Sequence, residues 1–291
     1  MAHGDTRQPD LFDASAREAD NQSRALIDQL IAATRLYDDR EKLADLLQFT
    51  ARLRVFAPFN AMLLHIQKPG LTHAATAKDW YNRFGRVPKT GARPLLVLRM
   101  KGPVDFVFDI LDTEGRPVPE NAFTFPTLGN LSEKRLEELL KTLSSEGFTL
   151  EPQELGDGWA GWIKRTWRSS APQGRHRYTL GYNRSHPPAT RLVTIAHELA
   201  HMFLGHLGAD PGRNVPDRSN RDHALREIEA ESTAYLLAKR NGLTPKSESY
   251  LSAFEGSFAN LDIYSVMRAA NAIEKVLGIS AQTYWNEAKP A

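Results

Sequence analysis

Apolar residues recur at helical spacing over much of the chain and alternate over two shorter stretches, and that contrast predicts an α+β fold. From Asn21 to about Leu53 the positions Leu26, Ile27, Leu30, Ile31, Leu43, Leu46 and Leu47 fall on helical faces, and Asp38-Asp39 gives the second helix an acidic start. "FNAMLLHIQ" after Pro58 reads as a third helix that stops near Pro69-Gly70, and "AKDWYNRFG" as a short fourth. "RVPKTGARPLLVLRMKGPVDFVFDILDTEG" alternates between Gly and Pro breaks, the pattern of strands and hairpins.

The proline-rich connector "PVPENAFTFPTLGN" is the best boundary, dividing a flexible arm (1–20) and an N-terminal unit (21–126) from a second unit (127–291). Beyond it, "SEKRLEELLKTLSSEG" predicts a helix capped by Ser132, with Glu133 near its positive end. "FTLEPQELGDGWAGWIKRTW" and "HRYTLGYN" predict strands. "PPATRLVTIAHELAHMFLGHLG" predicts a helix opening on Pro and closing on Gly. A polar loop, 209–222, leads to a helix over "HALREIEAESTAYLLAKRNG", and the remainder is mostly helical. No repeat of solenoid period is present.

Composition narrows the class. With 291 residues, 41% hydrophobic and 25% charged, the chain has material for two modest globular units. No run of 18 apolar residues suggests a membrane span, and the polar start lacks the apolar centre of a secretory signal, so a cytoplasmic, membrane-free protein is expected. The absence of cysteine excludes disulfides, thiolate metal sites and cysteine nucleophiles. The net charge of +2 conceals an asymmetry. Residues 1–50 carry six basic against ten acidic groups, whereas residues 51–101 carry ten basic groups against Asp79 alone, a block of +9.

The sharpest chemical signal is "TIAHELAHMFLGH". His197 and His201 lie about 40° apart on one helical face, one turn above the other. Two neutral imidazoles so placed reach one ion, and Glu198 stands where a carboxylate can take the proton of water activated by that ion. Without cysteine the third ligand must be His, Asp or Glu. His206, about 140° further around an unbroken helix, suits helix-end stabilisation better than ligation. On the next helix Glu227 and Glu231 share a face and Glu229 points about 200° away from Glu227. Glu227 is therefore the favoured ligand, and Glu231 the acid that holds a ligating imidazole's N–H. Ala230 and Ala234 keep that helix slim. A His-His-Glu zinc site with an open fourth position implies metal-assisted hydrolysis, most naturally of a peptide held by β-addition on an edge strand, a role that "RYTLGYN" is placed to fill. Tyr235 or Tyr264 is available to stabilise an oxyanion.

"HELAHMFLGH" followed by "EIEAESTAYLL" resembles the ImmA/IrrE-like zinc metallopeptidases. The resemblance implies a zincin-like domain with a mainly helical C-terminal part, Zn2+ on His197, His201 and Glu227, and a catalytic Glu198. Members of that family often carry Asn or Asp where this chain has Glu231. The segment from "FAPFNAMLLHIQ" to "VDFVFDILDTEG" resembles the N-terminal domain of ArdC-like antirestriction proteins, through an Asn-x-x-Leu-Leu helix, a Trp helix, a Gly-x-Val-x-Lys-x-Gly turn and a strand ending in Val-Phe-Asp. It implies N-terminal helices with a small β-sheet module that binds single-stranded DNA. The +9 block with its interleaved aromatics suits that partner, with Trp80, Arg83, Arg86, Lys89 and Arg93 as contacts. Two alternatives accompany the protease: a DNA-binding antirestriction protein with a structural or inactive zinc site, and a regulator that cleaves a repressor.

Overall fold

A computed structural model describes residues 40–99, 104–119, 128–154, 160–171, 174–243 and 260–280. The expected arm and first helix, and the segment around 250, lie outside the described residues.

The first described elements are α1 (Arg40–Arg52) and α2 (Pro58–Gln67), Pro58 occupying the first turn where a missing N–H costs nothing. After β1 (Ala74–Ala75) comes α3 (Ala77–Phe84), whose start is fixed by Thr76 accepting from the Asp79 amide and whose end is set by Gly85 in the left-handed region. The alternating stretch forms β2 (Arg86–Pro88), β3 (Leu95–Leu98), β4 (Val104–Asp109) and β5 (Thr113–Gly115). They make two small antiparallel sheets, β1-β4-β3 and β2-β5.

In the second half α4 (Glu133–Ser145) is capped by Ser132 as expected, its hydroxyl accepting from the Arg135 amide. A mixed sheet follows in the order β6-β8-β7, from β6 (Phe148–Gln153), β7 (Gly161–Trp167) and β8 (Arg177–Asn183). β6 runs parallel to β8, and β7 antiparallel to it. The "RYTLGYN" strand is thus the centre of the sheet, bonded on both sides and buried from Tyr178 to Asn183, and cannot be the edge that receives a substrate. The edge on that side is β7, which is partly exposed along its whole length, as a strand paired on one side only should be.

Among the described residues three further helices follow: α5 (Pro188–Phe203), α6 (His223–Arg240) and α7 (Ile263–Val276). Ala196 and Ala200 of α5 and Ala230 and Ala234 of α6 are fully buried in one core, and their small side chains let the two helices approach closely. A second core joins Leu43, Leu46, Leu47 and Met62 to Ile228, Leu236, Val266 and Met267, so packing crosses the connector that divides the chain in sequence. Polar bonds reinforce this joint. Arg240, itself buried, donates to Glu274 (2.6 Å), Thr50 O (2.8 Å) and Phe56 O (2.9 Å), and Arg54 donates to Asn241.

Candidate metal centre

Helices α5 and α6 bring His197, His201 and Glu227 to one point. The two Nε2 atoms are 3.1 Å apart, and each lies 3.5 Å from a different Glu227 oxygen. Donors on a tetrahedral ion with bonds of about 2.05 Å stand roughly 3.3 Å from one another. This triangle therefore fits a zinc-sized ion without rearrangement of the backbone.

The electrostatics fit a cation as well. Burial works against a charge on His197, but the carboxylates of Glu227 and Glu231 overcome it and push its pKa up to about 9. Burial, and then the charge on His197, drive His201 down. Glu227 is held below the usual carboxylate range, mainly by its contact with His197. The carboxylates thus favour positive charge at this point, as a cation site requires. Glu198 is raised, first by burial and then by Glu227, so its carboxyl is a readier proton acceptor than an exposed one. It borders the edge strand: a Cβ on Gly161 would lie 3.4 Å from Glu198 Cγ and 2.6 Å from Thr194 Cγ2, and only glycine lets β7 lie this close to α5.

The two histidines are supported differently. His197 Nδ1 faces Glu231 Oε2 at 3.2 Å, the arrangement the shared face of Glu227 and Glu231 suggested. His201 Nδ1 instead faces His206 Nδ1 at 3.0 Å, and His206 Nε2 faces Glu229 Oε2 at 3.0 Å. Glu229 Oε1 accepts from Arg218 at 2.6 Å and from the Asp262 amide at 3.4 Å.

An unbroken helix would have carried His206 away from His201, but α5 ends at Phe203 and Gly205 adopts φ +81°. The His206 amide then bonds back to His201 O at 2.9 Å and that of Gly205 to Met202 O at 3.0 Å, a Schellman turn that lays the residue after glycine over the last helical turn. The glycine in "FLGH" was the signal for this. Glu229 was legible only as pointing away from Glu227, and the direction "away" is where His206 lies. Tyr235 packs in the second core, and Tyr264 lies edge-on to Phe59.

Residues 156–244 match the family model of the IrrE N-terminal-like domain, Peptidase_M78. The IrrE-like segment spans every residue of the centre from Gly161 to Glu231. Two solved structures are similar to the chain over more of its length. The Mn(II)-bound antirestriction ArdC protein from R388 plasmid is 18% identical over 92% of this chain and 99% of that one, with a TM-score of 0.43. Its metal-free structure is 17% identical over 78% and 84%, with a TM-score of 0.36. No curated protein matches the chain.

The residues expected to meet nucleic acid are dispersed in role. Trp80 is 0% exposed and donates its indole N–H to Phe108 O, so it anchors α3 and offers no face to a base, contrary to expectation. The neighbouring Tyr81 is 66% exposed. Arg86 bonds Thr113 Oγ1, Thr113 O and Arg116 O, clamping β2 to β5. Lys89 donates to Leu111 O. Arg83 lies over the Phe84 ring, and Arg93 is exposed.

Proposed function

We propose that the chain hydrolyses peptide bonds at a zinc centre held by His197, His201 and Glu227. The observation that carries this reading is the triangle of donor atoms at 3.1, 3.5 and 3.5 Å with Glu198 beside it. A bound zinc ion supplies a Lewis acid that polarises a carbonyl and acidifies water. Glu198 accepts the proton of the attacking water and passes it to the leaving amine as the C–N bond breaks. Glu231 holds the His197 ring through its Nδ1–H. An extended substrate pairs with the outer edge of β7, which among the described residues bonds in the ladder only to β8 and which runs past Glu198.

Metal analysis and a peptide-cleavage assay test this. Purified protein contains stoichiometric zinc; His197→Ala loses both metal and activity, and Glu198→Gln keeps the metal and loses activity. Protein that takes up no zinc, or a Glu198→Gln variant that still cleaves, overturns the reading. A repressor cut only by protein with intact Glu198 identifies the substrate class.

A second activity, single-stranded DNA binding by the N-terminal half, is favoured by one observation. Exposed Lys78, Lys89 and Arg93 share this half with exposed Tyr81, the side-chain mix that follows a phosphate backbone while stacking a base. Affinity for a labelled oligonucleotide falls steeply with salt if this holds, and a flat response removes it.

A further inference from the structure

Behind the metal triangle, on the side opposite Glu231, runs a second chain of polar groups that no hydrolytic step uses. His206 is 3% exposed, Glu229 0% and Arg218 9%. Burying an anion and two polar side chains is costly unless each is satisfied, and here they satisfy one another in a single line ending at a metal ligand.

The direction of that line is set by its chemistry. A carboxylate only accepts, and Glu229 Oε1 is already taken by the Arg218 guanidinium and the Asp262 amide. Glu229 Oε2 therefore accepts from His206 Nε2–H across 3.0 Å. A neutral His206 protonated at Nε2 has a lone pair at Nδ1, which faces His201 Nδ1 at 3.0 Å. His201 must then carry its proton on Nδ1, leaving the Nε2 lone pair turned toward Glu227 and His197. With the opposite polarity, a proton on His206 Nδ1 would force the His201 proton onto Nε2 and close that donor to a metal.

We propose that His206, Glu229 and Arg218 form a positioning relay that fixes the His201 tautomer and ring so that Nε2 is presented to the metal, the counterpart for His201 of what Glu231 does directly for His197. The relay rests on the metal-centre reading above. It also ties the centre to the loop before α6, because Arg218 donates through Nη1 to Leu204 O and its amide bonds Gly205 O.

The test uses the full-length protein and Zn2+ as probe. In zinc-loaded wild type with 15N-labelled histidine, long-range 1H–15N spectra place one proton on His201 Nδ1 and one on His206 Nε2. A proton found on His206 Nδ1, or none on His201 Nδ1, overturns the relay without any variant being made. Chelator competition supplies the second arm. His206→Phe, which keeps a ring but removes the acceptor, weakens zinc binding roughly 10- to 100-fold. His206→Asn, whose amide oxygen falls near the Nδ1 position, recovers affinity toward wild type, which a merely space-filling role would not require. A His206→Phe protein that binds zinc as tightly as wild type overturns the relay alone. Wild-type protein that binds no zinc overturns the metal centre and the relay with it, so the two failures are distinguishable. Should His206→Phe fail to fold, the wild-type spectra decide.

Discussion

Among the described residues between 51 and 99 the cationic side chains end mostly on backbone oxygens, on nearby acids or in solvent, whereas around the metal triangle His197, His201, His206, Arg218, Glu229 and Glu231 end mostly on one another. Arg52 donates to Leu71 O, Arg86 to Thr113 O and Arg116 O, and Lys89 to Leu111 O. In the other region a line of four groups, from Arg218 through Glu229 and His206 to His201, is buried or nearly so and terminates at the candidate ligands, with half-buried Asp262 at its outer end. A linear count of charge describes the first region and says almost nothing of the second. Burial is the difference: where water is excluded, a charge must be met by a partner of fixed geometry, and fixed geometry is what a metal centre needs.

Removing a cation from each region breaks the comparison most directly. Arg218→Met leaves Glu229, with no exposure of its own, facing His206 without its guanidinium. Loss of one member of a buried pair costs about 3–5 kcal/mol. Urea denaturation detects it as a lowered midpoint with an unchanged slope, and zinc affinity falls with it.

Gly205→Ala should come next. The left-handed backbone alone costs roughly 1–2 kcal/mol with a side chain present. A Cβ there would also lie 2.0 Å from Pro216 O, a backbone atom that must move. Because the same turn folds His206 over His201, this variant loses zinc affinity together with stability, while alanine at Gly278, a left-handed glycine after α7 that faces Thr142, would lose stability alone. Equal zinc affinity in a destabilised Gly205→Ala protein would separate the turn from the metal centre.

The N-terminal half also pairs a part-exposed lysine with a fully buried carboxylate, and that pair behaves like the other region on a smaller scale. Lys68 bonds Asp109, which is 0% exposed, at 2.6 Å. That bond to Asp109 outweighs the effect of burial and raises the Lys68 ammonium above its ordinary range. A cation whose pKa is higher in the folded than in the unfolded chain stabilises fully below the unfolded value and loses that contribution as pH rises through the folded one. Stability measured by urea should therefore decline above about pH 10.4, where unfolded lysine titrates, and Lys68→Met should flatten that decline.

The sequence carried the elements well and the convergence of His197, His201 and Glu227 on one point, because helical spacing alone places these donors on facing surfaces once α5 and α6 pack. It carried the inner line poorly. The offset of His206 from His201 was measured along a helix that Gly205 had already ended, and Arg218 lies in a loop where no periodicity applies. The central position of β8 was hidden for a related reason. A buried central strand and a strand beside a helix have similar composition, and only pairing separates them. The basic block was legible as charge but not as individual roles, since neither the burial of Trp80 nor the carbonyl partners of Arg86 leave a mark on composition.

The smallest effects sharpen the comparison inside the N-terminal half. Arg86 clamps two strands, so Arg86→Ala removes hydrogen bonds to Thr113, Gly115 and Arg116 and costs about 1–2 kcal/mol in all, because the bonds share one guanidinium and two of them are open to water. Arg93 is exposed, and Arg93→Ala leaves stability within about 0.5 kcal/mol. For single-stranded DNA the ranking reverses if the exposed cations neutralise phosphates. Arg93→Ala then lowers affinity at every sequence and reduces the magnitude of the salt slope by about 0.7, the single-strand contribution of one phosphate contact. Arg86→Ala, its guanidinium already committed to four oxygens, leaves the slope unchanged at a temperature where the variant is still folded. A slope that drops for Arg86 and not for Arg93 would mean that the clamp opens to meet the nucleic acid, and that this half, too, uses its internally bonded charges for recognition.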